Sequence, residues 1–135
     1  MRTRLRFLTP DADSGIFVRA AGDATFMRGW PGNSHQVQVR TPSTPSPLPP
    51  LGGLFRHGTG SGATVFDADV VRRLFRGIGE WHDVEVEVIG SRLVVRVDGS
   101  ETTRAEGIAE APGYVGIQGE SGVVEYRDFT IGERP

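Results

Sequence analysis

Residues 81–97 read Trp81-His82-Asp83-Val84-Glu85-Val86-Glu87-Val88-Ile89, then Gly90-Ser91, then Arg92-Leu93-Val94-Val95-Arg96-Val97. Successive side chains of an extended chain point to opposite faces. Val84, Val86 and Val88 therefore make one apolar face, and Asp83, Glu85 and Glu87 make a polar one. Gly90-Ser91 suits a tight turn between two β-rich runs, which predicts an antiparallel hairpin. Asp98-Gly99 turns the chain again.

The same rhythm runs outward in both directions. Leu5 and Phe7 alternate with Arg4 and Arg6, and this run stops at Thr9-Pro10. Asp11 to Gly15 reads as a turn and Ile16 to Arg19 as the next strand, while Ala20 to Asn33, with Phe26, Trp30 and Pro31, is loop-like. His35 to Arg40 alternates strictly. Gly53 to His57 is a short strand and Gly58 to Gly62 a flexible turn. Asp67 to Phe75 carries one helical stripe (Val70, Val71, Leu74, Phe75) with Asp67 placed to cap it, and reads as helix or loop. Gly113 to Gln118 and Val123 to Ile131 predict a last hairpin through Gly119-Glu120-Ser121-Gly122. In its second strand the apolar phase slips between Tyr126 and Phe129, which predicts a β-bulge near Arg127-Asp128. Short strands punctuated by 19 Gly and 9 Pro are the pattern of an all-β sandwich or barrel.

Thr41 to Pro50 holds five prolines and by composition resembles a linker. The roughly 40 residues before it are too few to hold a core without disulfides or metal. It is therefore expected to be an internal proline-stiffened loop, with residues 1–135 forming a single domain.

A net charge of −2 gives no electrostatic case for nucleic acid or an anionic membrane. All 15 basic residues are Arg and none is Lys, as a GC-rich coding bias would produce. Cysteine is absent, which removes disulfides, thiolate metal sites and cysteine nucleophiles. No apolar run approaches the ~18 residues of a membrane span. Met1-Arg2-Thr3-Arg4 opens no signal-peptide core, so a cytoplasmic protein is expected if Met1 is the native start.

Chemistry is sparse in the motifs. Gly58 to Ala63 imitates a dinucleotide fingerprint but lies in no parallel βαβ unit, so no nucleotide cofactor is expected. Asp11-x-Asp13-x-Gly15 looks like half a calcium loop, yet its Gly comes one residue early and no distal Glu follows; a turn is the simpler reading. His35, His57 and His82 have no metal-ligand spacing, and no metal is expected. Glu85 and Glu87 share a strand face, as paired glycosidase carboxylates or as a solvated outer surface. In His35-Gln36-Val37-Gln38-Val39-Arg40, Val37 and Val39 point one way. Gln36, Gln38 and Arg40 point the other, where two amides and a guanidinium would suit a polyhydroxylated ligand or simply face solvent.

Six segments in order resemble one family. Asp13-Ser14-Gly15-Ile16-Phe17-Val18-Arg19 resembles its S-G-I-aromatic-x-R strand, His35 to Val39 its E-x-Q strand, and Gly53-Leu54-Phe55 its G-L-Y motif. Gly79-Glu80-Trp81-His82 resembles G-E-W-N, and Leu93 to Gly99 resembles the strand ending in N-G. Gly116-Ile117-Gln118 with Glu125 to Phe129 resembles its G-L-Q…F-R-N-I ending. The family is the bacterial 3-keto-disaccharide hydrolase domain, a concanavalin A-like jelly roll, here without the segment expected before its early strand.

The resemblance implies an antiparallel β-sandwich with a concave sheet that binds a saccharide. In the associated chemistry a C3 ketone acidifies the C2 proton, a base removes it, the glycosidic oxygen leaves, and water adds back. Arg19, Gln38 and Gln118 match groove positions, with Arg19 suited to an oxyanion and the glutamines to hydroxyls. Gln36, Arg40 and Phe55 complete the expected binding set. Gln36 replaces the motif's carboxylate and cannot take a proton at neutral pH. Phe55 replaces its tyrosine. His57, on the same side as Phe55, is the expected stand-in base, with Glu85 the other candidate. A non-catalytic carbohydrate-binding sandwich, or a structural one, is the alternative. Without the preceding segment, Arg4 to Phe7 is expected to be an exposed edge, open to cover by a second copy in a homodimer.

Overall fold

The computed structural model describes residues 1–21, 26–27, 30–43 and 45–132. In chain order its elements are β1 (Arg2–Phe7), β2 (Asp13–Ala20), β3 (Phe26–Met27), β4 (Trp30–Pro31), β5 (Ser34–Arg40), β6 (Leu54–His57), β7 (Thr64–Phe66) and α1 (Ala68–Leu74). They continue with β8 (His82–Ile89), β9 (Arg92–Val97), β10 (Ser100–Ala105), β11 (Tyr114–Ser121) and β12 (Val124–Thr130). Part of the Ala20–Asn33 loop lies outside the described residues; within it β3 and β4 pair through Phe26 with Pro31 and Met27 with Trp30.

Alternation decides the layers. A six-stranded sheet runs β12-β1-β8-β9-β10-β7 and a four-stranded sheet runs β11-β2-β5-β6, with every pairing antiparallel. Leu5, Phe7, Val84, Val86, Leu93 and Val95 from the first meet Ile16, Val18, Val37 and Val39 from the second in one buried core. Each such side chain contributes about 1.5–3 kcal/mol on leaving water, which is what holds the two layers face to face. The 82–97 hairpin forms in the expected register, with Val86 opposite Val95 and Ile89 opposite Arg92.

Of the two readings of 67–75, the helix is formed. The Asp67 carboxylate accepts from the backbone N–H groups of Asp69 and Val70, and Val71 is buried beneath it. Phe75 then packs edge-on against Phe7, with ring centroids 5.9 Å apart. The bulge in β12 is at Asp128, whose φ is +53°. Between the pairs Arg2–Thr130 and Arg4–Arg127, β12 carries one residue more than β1.

Four features differ from the sequence reading. β11 and β12 are not a hairpin: β11 pairs with β2 and β12 with β1, so residues 122–123 form an arch between sheets. The arch is seated on the 9–12 turn. Leu8 N–H donates to the Val123 carbonyl, Val123 N–H donates to Thr9 Oγ1, and a Cβ on Gly122 would lie 2.4 Å from Thr9 Oγ1. β1 is not an edge either. β12 and β8 flank it, so a second copy has no Arg4–Phe7 edge to cover. β2 begins at Asp13 rather than Ile16, because Ser14 turns inward and joins the Gln118 carbonyl to the Tyr126 hydroxyl across the two layers. Finally, β7 and β10 are strands that the sequence pattern did not assign. The alternation of β10 is hidden by a bulge between Glu101 and Thr103, where Thr102 and Thr103 are both buried, and β7 spans only three residues.

Candidate functional site

The four-stranded sheet turns Ile16, Val18, Val37 and Val39 into the core, so Asp13, Gly15, Gln36, Gln38, Phe55, His57 and Gln118 fall on its other face. That face is not a solvated surface at β5. Gln36 and Gln38 are 4% and 2% exposed, and Gln118 and Arg40 are also buried. Buried amides must be hydrogen-bonded, and these bond to one another. Gln36 Nε2 donates to Gln38 Oε1 at 2.8 Å and to Gln118 Oε1 at 2.9 Å. Gln38 Nε2 donates to Asp13 Oδ1 and Gln118 Nε2 to Glu120 Oε2, each at 2.7 Å. At the opposite end, His57 Nε2 lies 2.8 Å from Gln36 Oε1.

Two local features permit this junction. Gly15 sits in β2 directly under it, where a Cβ would lie 2.6 Å from Gln36 Nε2 and 2.7 Å from Gln118 Oε1. Only a residue without a side chain lets β5 and β11 bring their amides together across β2 there. Glu120 is the extra residue of a bulge in β11, between the pairs Gly119–Ser14 and Ser121–Asp13. Bulges re-aim side chains, and this one directs Glu120 back to Gln118.

The ends of the network are the partly exposed groups. Burial raises the Asp13 carboxyl above its ordinary range, against the opposing effects of the Arg40 charge and the Gln38 hydrogen bond. Burial, and then the Asp13 charge, raise Glu120. Burial lowers His57 below the usual 6.5, so its ring is neutral at pH 7.

Of the expected residues, Gln36, Gln38, Gln118 and His57 share this hydrogen-bonded row. Phe55 stands beside it, opposite Gln36 in register and with its ring centroid 6.4 Å from that of His57. Arg40 pairs with Asp13 in register and donates to the Leu48 carbonyl, tying the proline loop to the end of the row. Arg19 is not brought in: its φ of +51° breaks the alternation of β2, and its guanidinium donates to the carbonyls of Gly90 and Ala109. Glu85 belongs to the other sheet. Because Val84 and Val86 are buried, it faces outward there and pairs with Arg2 and Arg96, each at 3.0 Å. His35 points into the sandwich, and His82 is buried against Asp98 at 2.8 Å. Sequence reading passed over Asp13 and Glu120, having assigned each to a turn. Among the described residues no three His, Asp or Glu side chains gather as a metal site.

Two packed antiparallel sheets are the layers of a concanavalin A-like sandwich. The chain belongs to the 3-keto-alpha-glucoside-1,2-lyase-like domain family, whose pattern matches residues 1–132. Among solved structures it is similar to one from Parabacteroides distasonis ATCC 8503, described as a "putative glycosyl hydrolase". The TM-score is 0.59 and the identity 18%, over 94% of this chain and 74% of that one. That likeness concerns the fold. No curated protein matches the chain.

Proposed function

We propose that the protein acts on 3-keto-glycosides or related disaccharides on the outer face of the four-stranded sheet, with His57 as the base. The observation that carries this reading is a neutral, partly exposed imidazole held at 2.8 Å by the end of a buried amide row. The amides spend themselves on one another, so they orient rather than grip. Sugar hydroxyls fall instead to the exposed ends, where the Asp13 and Glu120 carboxylates accept and the Phe55 ring offers an apolar wall.

With a ketone at C3, His57 takes the C2 proton. The C1–O bond breaks with its electron pair on the glycosidic oxygen, and the imidazolium returns its proton to that oxygen. Water adding across the resulting C1=C2 bond completes a hydrolysis. Incubation with a 3-keto-disaccharide should release 3-keto sugar and exchange the C2 hydrogen with deuterated solvent. His57→Gln should abolish both while leaving binding, followed calorimetrically, within about threefold. Full turnover in His57→Gln would overturn the assignment.

A second reading is favoured by Gln36, an amide where the family motif has a carboxylate: a sandwich that binds sugar without turning it over. Saturable binding with no release of product at high protein concentration would select it.

A further inference from the structure

The hydrogen-bonded row has a direction, and chemistry fixes it. An ionised carboxylate only accepts, so Gln38 and Gln118 must turn their NH₂ groups toward Asp13 and Glu120. Their carbonyls then face the centre, 2.8 and 2.9 Å from Gln36 Nε2. Gln36 has two N–H bonds, and the two carbonyls take both. Its own carbonyl is left to face His57. A carbonyl accepts, and a neutral imidazole carries one hydrogen, so that hydrogen belongs on Nε2.

We infer that Asp13 and Glu120 are positioning residues that act through three amides to hold His57 as the Nε2–H tautomer, placing its basic lone pair on Nδ1. The catalytic consequence rests on the reading of His57 as the base; the tautomer does not. The relay has two arms meeting at one amide, and either arm alone orients Gln36. It also gives position 36 a reason to be Gln. Both arms arrive with carbonyls, and only a group with two donors can receive them. A carboxylate at this junction would set acceptor against acceptor on both sides. Which nitrogen of the ring is basic matters to an enzyme because a base must point its lone pair at the proton it removes.

The test is the ¹⁵N spectrum of the imidazole rings in the full chain at pH 7.5, with His57 assigned by its loss in His57→Gln. His57 should appear as a single Nε2–H tautomer. Asp13→Asn and Glu120→Gln alone should each retain it, because one arm survives. The double variant should show a new Nδ1–H share of at least several tenths, since amides at the ends can donate or accept. Gln36→Met, whose thioether is only a weak acceptor for the ring N–H, should do the same without altering either carboxylate, and covers the case in which the double variant does not fold. An Nδ1–H ring in the unaltered protein, or an unchanged tautomer in both the double variant and Gln36→Met, would overturn the relay. No turnover by a protein with the predicted tautomer pattern overturns only the catalytic reading. Turnover that depends on His57, with a tautomer insensitive to all these changes, overturns only the relay.

Discussion

His35 lies at the start of β5 with its ring turned into the sandwich and no exposed surface. Neither ring nitrogen has a hydrogen-bond partner among the described residues. Burial, followed by the charges of Arg56, Arg19 and His57, brings its pKa from 6.5 to about 4. The folded state therefore keeps the ring neutral while the unfolded chain takes up a proton as pH falls through 6.5. A depressed histidine pKa costs the fold nothing at neutral pH. The loss accumulates between 6.5 and about 4 and is complete below that, on the order of 3 kcal/mol in total. Asp13 and Glu120, whose pKa values are raised, act with the opposite sign: their ionised forms are disfavoured in the fold, so acidification relieves it. These terms and that of His57 are common to the protein and to a His35→Phe variant, so the difference between the two isolates His35. Urea unfolding of both from pH 7.5 to 4 should show curves that diverge, the unaltered protein losing about 3 kcal/mol more than the variant. At pH 7.5 the variant should be no less stable, because it removes two buried nitrogens that lack partners at about 1–3 kcal/mol each, against some cost of a larger ring. Parallel curves would refute the reasoning.

Gly15→Ala should cost about 1–3 kcal/mol by urea unfolding and abolish activity on a 3-keto-disaccharide, since its Cβ falls 2.6 Å from Gln36 Nε2. Gln36→Glu should destabilise by roughly 2–4 kcal/mol at pH 7.5, because it buries a carboxylate against two carbonyls. Asp13→Asn with Glu120→Gln in the same chain should recover most of that loss. Tyr126→Phe should cost about 1 kcal/mol in thermal or urea unfolding, as Ser14 keeps the Gln118 carbonyl but loses the tyrosine hydroxyl.

Period-two alternation made the layers legible, because a strand that buries one face writes that face in every second residue. Val84, Val86 and Val88 did so for β8, and Val37 and Val39 for β5. The bulge at Asp128 was legible for the same reason, as a slip of that phase. What alternation cannot say is which strand a strand joins. Gly119 to Gly122 has the composition of a hairpin turn, yet Gly119 to Ser121 extend β11 and the chain crosses between sheets at Gly122, packed against Thr9 and Ala12 from a distant part of the chain. Strand order therefore remained open, and with it the position of β1. The site was half legible. Gln36, Gln38, Gln118 and His57 show in the pattern, but Asp13 lies at a strand start that resembles a turn and Glu120 in a bulge. A bulged residue leaves the alternation by definition, so no periodic reading would have placed it beside Gln118.

Those two carboxylates alter what the substitution at position 36 means. Taken alone, Gln36 in place of an acid removes a proton acceptor and points to a site that has lost its chemistry. Within the folded chain it is the group that two inward carbonyls require, and those carbonyls face inward because Asp13 and Glu120 hold the amides by their other ends. Two acids are present on this face, carried by β2 and β11 instead of β5. The imidazole they orient stands at the far end, neutral at pH 7 through burial. An amide at 36 is thus consistent with a working base at His57, provided the polarity of the row is intact. Whether that ring turns a 3-keto-glycoside over is then decided by product release, separately from how its tautomer is held.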